Sequence, residues 1–178
     1  MAFEHPYGSY NVQGSLNEWF RVNVTGNGIP AWMPSAFIHY DFPETGLISG
    51  HSGHAFSLTH QGADPIQQYQ GRIVGDGQRG TLMESTLEVN CWLSREKAGG
   101  AYTHRLRHMG DMVSYIFQSA RDVPLTNVYG STTDPENVTA LIRIKPANEQ
   151  PVLPDPNPDI VRRRFLIDYR WLERVSAG

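Results

Sequence analysis

The sequence predicts an α+β domain: a mostly antiparallel sheet packed with one long helix and one short helix. Three stretches carry that expectation. In LMESTLEVNCWLS, residues 82–94, Leu87, Val89, Cys91 and Leu93 alternate with Thr86, Glu88, Asn90 and Trp92, the period-two pattern of a strand. In AYTHRLRHMGDMVSYIFQSARD, residues Tyr102, Leu106, Met109, Val113, Ile116, Phe117 and Ala120 fall at helical spacing on one face, so 101–121 reads as the long helix. The closing IVRRRFLIDYRWLERV alternates again, with Val161, Arg163, Phe165, Ile167, Tyr169 and Trp171 on one face and Arg162, Arg164, Leu166, Asp168, Arg170 and Leu172 on the other. Strand and helix alternate too sparsely for a doubly wound sheet.

The remaining elements follow in chain order. Ser15-Leu16-Asn17-Glu18 fits a capping box at the start of the short helix through Trp19, Phe20 and Val22; Gly26 and Gly28 stop it. An earlier start is compatible with Gly14, which weakens a helix without forbidding it. SAFIHYDF, residues 35–42, alternates as a strand with Ala36, Ile38, Tyr40 and Phe42 on one face. From 43 to 80 glycine and proline recur among Ser, His, Gln and Asp, a long loop excursion holding short strands. Pro124 ends the long helix, and LTNVYG and VTALIRI (138–144) are short strands, the second with Val138, Ala140, Ile142 and Ile144 on a common face. Prolines at 146, 151, 154, 156 and 158 make 146–158 a proline-rich extended arm, because each fixes φ and removes a donor.

At 178 residues the chain has room for one well-packed domain, read as 1–178. A hydrophobic share of 39%, a charged share of 19% and a net charge of −3 exclude a long disordered tail and a generally basic nucleic-acid binder. Any contact with DNA has to come from a local patch or from shape. No run approaches the ~20 apolar residues of a membrane helix, and MAFEHPYGSY lacks the basic start and apolar core of a secretory signal, so no membrane partner is expected. Cys91 is the single cysteine, which rules out an intrachain disulfide and fits assembly in a reducing cytoplasm.

Candidate chemistry centres on histidine. HSGHAFSLTH places His51, His54 and His60 within ten residues, and with Asp64 these are the ligands a small metal-dependent enzyme would use. No rigid element in the sequence pattern holds them, so loop-borne polar side chains are the preferred reading and no metal or cofactor is expected. His104 and His108 have the helical spacing of zinc proteases, but Arg105 stands where the general base belongs. There is no G-x-S-x-G elbow and no Walker lysine. Gly75, Gly77 and Gly80 match G-x-G-x-x-G but precede a strand, which points to a hairpin. Cys91 shares the apolar face of its strand and reads as a buried structural thiol. The chain is therefore not expected to be an enzyme. Arg162, Arg163, Arg164, Arg170 and Arg174 make the carboxy terminus locally basic, suited to DNA or to a salt-bridged interface.

The order of elements carries a resemblance. A helix leads to I-P-A-W and a strand; an excursion ends in Q-R-G, followed by ESTLEVNCWL, a glycine pair, a long helix, short strands and a closing strand. This layout, clearest in GQRGTLMESTLEVNCWLSREKAGGAYTHRLRHMGDMVSYIF, resembles the tail terminator and tail-completion (neck) proteins of long-tailed bacteriophages. The resemblance implies a structural virion protein at the head–tail joint, assembled in the host cytoplasm. It implies a homohexameric ring that caps the tail tube, docks to a head-side connector or stopper protein, and lets DNA pass its bore without sequence readout. The excursion and the proline arm are long for a minimal terminator, so a head–tail adaptor or tube subunit is the alternative. Interface candidates are Trp92, Pro151, Pro154, Pro156, Arg162, Arg164 and Trp171, chosen as aromatic anchors, stiff arm residues and strand cations.

Overall fold

A computed structural model describes residues 7–26, 29–33, 37–40, 48, 53–66, 72–73, 78–119, 122–125 and 140–176. The chain enters as helix α1, Ser9–Gly26, followed by β1 (Ile38–His39), β2 (His54–His60), β3 (Asp64–Pro65), β4 (Arg72–Ile73) and β5 (Gln78–Ser94). A single-turn helix α2 (Arg95–Ala98) and a 3-10 turn at Gly99–Ala101 lead into α3 (Tyr102–Ser119). Then come β6 (Asp122–Pro124), β7 (Leu141–Ile144), β8 (Asn148–Gln150) and β9 (Ile160–Ser176). These described strands form one sheet in the order β1-β2-β5-β9-β7-β6, with β3 and β4 attached to β5 and β8 to β9. Every pairing is antiparallel except β1 with β2. The α+β class read from the sequence is the fold observed.

The sheet is organised by β5 and β9, which pair along their whole length from Gln78↔Ser176 to Ser94↔Ile160. Period-two alternation turns Leu87, Val89, Cys91 and Leu93 to the same side as Phe165, Ile167, Tyr169 and Trp171, joined by Phe56 and Leu58 of β2. Both helices cover that face. α1 contributes Val12, Leu16, Phe20 and Val24; α3 contributes Met109, Val113, Ile116 and Phe117. Phe20 ties the layers together: its ring stacks on Phe117 at 5.9 Å and meets Phe56 edge-on at 5.4 Å. A fully buried side chain of this size contributes about 1.5–3 kcal/mol.

Four local expectations are corrected. Helix α1 begins at Ser9, so Ser15 is no cap; it lies buried inside the helix, its hydroxyl donating to the Asn11 carbonyl at 2.8 Å. The helix runs 18 residues, as many as α3. The excursion contains β2, a full strand buried at five successive positions rather than a loose loop. The proline segment is no free arm: Asn148, Glu149 and Gln150 pair with Leu166, Phe165 and Arg164, so residues 151–159 form the connection of a β8–β9 hairpin. Pairing of Arg72 and Ile73 with Gly80 and Arg79 agrees with a hairpin at the glycine set. Ala36, Phe42, His51, Gly75, Gly77, Ala120, Val138 and most of LTNVYG lie outside the described residues.

Candidate interaction surface

The second face of the sheet carries the even-numbered residues of β5 and β9. At the end where β2 begins, Ala55, Trp92 and Arg162 lie abreast, and the next row is Ser57, Asn90 and Arg164. The rows are laced together. Arg162 sits over the Trp92 ring, 4.9 Å from its centroid, while the indole N–H donates to Ser57 Oγ at 2.9 Å. Asn90 Nδ2 donates to Glu88 Oε1 at 3.0 Å, and Arg164 donates to Glu88 Oε2 at 2.6 Å. Glu88, Asn90 and Ser57 are buried, so this is a polar network inside the chain and not a loose charged surface.

From the same end projects the 151–159 connection. Its base is pinned on both sides. Gln150 pairs with Arg164, and the Asp159 carboxylate accepts from Ser94 Oγ and from the Glu96 amide, each at 2.6 Å. Those donors, with Arg95 nearby, hold the Asp159 carboxyl below its ordinary pKa. Asp155 accepts from the Asn157 amide at 2.9 Å and Asn157 from the Asp159 amide at 3.0 Å, two successive Asx turns that shape the loop. Held this way, the loop presents Pro151, Pro154 and Pro156 to solvent together with Leu153, which is 84% exposed.

Of the seven interface candidates, Trp92, Arg162, Arg164 and the loop prolines therefore come together at one end of the sheet. Trp171 does not: it lies on the helix-covered face near the opposite end, stacked on Tyr169 at 5.7 Å, its indole N–H donating to the Tyr7 carbonyl at 3.1 Å. Trp92 is 4% exposed and Trp171 2%, so both rings are packed within their own chain. Leu153, which follows Val152 between Pro151 and Pro154, is not among the seven candidates and is the most exposed of the large hydrophobic side chains among the described residues.

The basicity of β9 is also largely engaged internally. Arg163 clamps Glu149 through two bonds of 2.7 and 2.6 Å and donates to the Arg107 carbonyl at 3.1 Å. Arg170 pairs with Glu84 at 3.0 Å, and Arg174 lies over the Tyr7 ring. Beyond Arg170, the sheet's second face opens into a polar hollow of about 400 Å³, bordered by Asp64, Glu84, Thr86, Lys145 and Asp168. There Thr86 and Lys145 both bond Asp168, and Arg170 pairs with Glu84.

The histidines part company. His54 and His60 are the two ends of β2, about 20 Å apart at ~3.3 Å per residue, so they cannot hold one ion. No group of three metal-ligating side chains occurs among the described residues. His54 is buried beside Trp32 and Phe37. His60 bridges three elements: Nε2 lies 2.9 Å from Asn17 Oδ1 of α1, and Nδ1 3.1 Å from the Tyr169 hydroxyl of β9. With the proton on Nε2, a neutral ring satisfies both partners, and burial lowers its pKa to about 4. His104 and His108 are exposed on α3, as a basic helix flank should be. Cys91 is buried and its thiol pKa is raised by desolvation.

No family model matches the chain, and no curated protein does. Among solved structures, the chain is similar to the PVC sheath/tube terminator of an extracellular contractile injection system, seen by cryo-EM in its extended state. The identity is 13% and the TM-score 0.48, over 96% of this chain and 57% of that one. The chain thus spans little more than half the length of that neighbour. No described helix is long and apolar enough to cross a membrane.

Proposed function

We propose that the chain is a structural subunit of a tailed-phage virion, a tail terminator that forms a ring on the tail tube and faces a head-side connector. The observation that carries the proposal is the 151–159 connection. A loop pinned at both ends that nevertheless holds Leu153 at 84% exposure is organised to meet a partner rather than its own core. Prolines reduce the entropy lost when such a loop docks. The element order on which the resemblance rests, from helix to long strand, glycine pair, long helix and closing strand, is also the order in the fold.

In this reading the loop of one subunit packs on the next, and one heterologous contact repeated around an axis closes the ring. A head–tail adaptor or tube subunit would use the same contact in a different position on the particle. The metal-enzyme alternative loses its shared ligand set, because β2 separates His54 from His60. The test is Leu153→Asp, compared with wild type by analytical ultracentrifugation and thermal melting. The proposal expects self-association to weaken at least tenfold with an unchanged melting temperature. Unchanged self-association, or a monomer that unfolds, removes the loop from the interface.

A further inference from the structure

Among the described residues, cations outside any ion pair cluster at the corner built by α2, the 99–101 turn and the first two turns of α3, whereas on β9 only Arg162 and Arg174 lack one, each lying over an aromatic ring of its own chain. Residues 95–108, REKAGGAYTHRLRH, hold four Lys and Arg against one Glu, a net +3 within a chain of net −3. Arg95, Lys97, His104, Arg107 and His108 are exposed and Arg105 is half-buried. Ion pairs among the described residues are made by Arg21, Arg143, Lys145, Arg163, Arg164 and Arg170, and by none of these. Two guanidiniums are positioned by aromatic rings, Arg105 over Trp32 at 5.4 Å and Arg95 over Tyr102 at 5.3 Å.

Two further features mark the corner. α3 has no acidic residue in its first turn, so the positive end of the helix dipole meets added positive charge, an arrangement that disfavours the free helix. Gly99 and Gly100 are exposed, and a Cβ at either would touch nothing within 4 Å, which leaves the backbone open to close approach. An anionic partner relieves the first and can use the second.

We propose that this corner binds the phosphate backbone of duplex DNA. The buried centre of a protein interface is depleted in charge and rich in apolar anchors, whereas no large hydrophobic side chain of 95–108 is exposed. Phosphates are met by dispersed Lys and Arg, with counterion release as the driving force. The contact reads no sequence, since the cations lie on a surface corner and not on an element shaped to enter a groove. It stands apart from ring formation and is measurable on the monomer.

The test is fluorescence anisotropy of a labelled duplex of about 25 bp, from about 50 to about 200 mM salt, where log K falls with log[salt] by ~0.9 per phosphate contact. The expected slope is about −3, falling to about −1 in Lys97→Gln/Arg107→Gln with at least tenfold weaker binding. Glu96→Lys, which replaces the one acid of 95–108 and leaves Asp159 in place, tightens binding and guards against a double variant that merely folds poorly. No binding at low salt overturns the proposal, as does binding unaffected by either variant. Equal binding of a polyglutamate of matched charge overturns the assignment to nucleic acid in favour of an acidic protein.

Discussion

His60 makes stability pH-dependent in a way that can be calculated. In the folded chain its ring is wedged between Asn17 and Tyr169, and desolvation lowers its pKa from 6.5 to about 4. Between those values the unfolded chain binds a proton that the folded chain refuses, so stability falls as the pH falls. The contribution is present in full above about pH 6.5 and is lost by about pH 4. With those two pKa values the loss from pH 7 to pH 5 is about 1.8 kcal/mol, and the full loss is about 3 kcal/mol. At about 2–4 °C per kcal/mol for a chain of this size, pH 5 lowers the melting temperature by about 4–7 °C. Carboxylates such as Glu149 and Asp159, whose pKa values are lowered by their donors, act in the same direction at lower pH. A comparison with His60→Gln isolates the histidine, because an amide can donate to Asn17 and accept from Tyr169 without titrating. Differential scanning calorimetry at pH 7, 6 and 5 should show the wild type losing stability faster than the variant. Parallel loss in the two proteins, or an NMR titration of His60 above pH 6, refutes the reasoning.

Three further outcomes are expected. Gly110→Ala adds a methyl where the Arg163 guanidinium lies against α3, so the gain of about 1 kcal/mol expected from helix propensity is cancelled; in an Arg163→Ala background the same change stabilises, which a double-mutant cycle by urea denaturation measures. Glu88→Ala strands Arg164 in the polar network and leaves Asn90 Nδ2 with only its 3.4 Å bond to Ser57 Oγ. Because the Arg164 side chain is 34% exposed, the cost is about 2 kcal/mol rather than the 3–5 kcal/mol of a fully buried pair, read by chemical denaturation. The Cys91 thiol, buried and kept protonated, reacts with a disulfide reagent only as fast as the chain opens, whereas prompt labelling of native protein shows the site to be accessible.

What the sequence made legible depended on whether one face of an element was wet. β5, α3 and β9 each leave polar residues on one side for at least part of their length, and their periodicity could be read directly. β2 is buried on both faces at five successive positions, and its two histidines and the flanking glycines and serines mask the brief Phe56–Leu58 alternation, so the segment reads as a loop. The start of α1 was hidden because Asn11 and Ser15 occupy its buried stripe, where a periodicity argument looks for aliphatic residues. Strand parity correctly separated Trp92 and Trp171 onto opposite faces, but which faces the chain itself covers is a tertiary fact. The same holds for the arginines. Arg164 meets Glu88 and Arg170 meets Glu84 across more than 70 intervening residues, and only the β5–β9 register brings them together. Composition leaves DNA binding to a local patch; on β9 Arg163, Arg164 and Arg170 are ion-paired, while the cations of the α2–α3 corner are not.

The central claim is that this chain closes into a ring, and native mass spectrometry across a concentration series tests it most directly. Six copies of the 20.0 kDa chain give a species of about 120 kDa that the account predicts, without metal and without a ladder of larger assemblies. A 20.0 kDa monomer at every concentration, or an open-ended series of sizes, contradicts it.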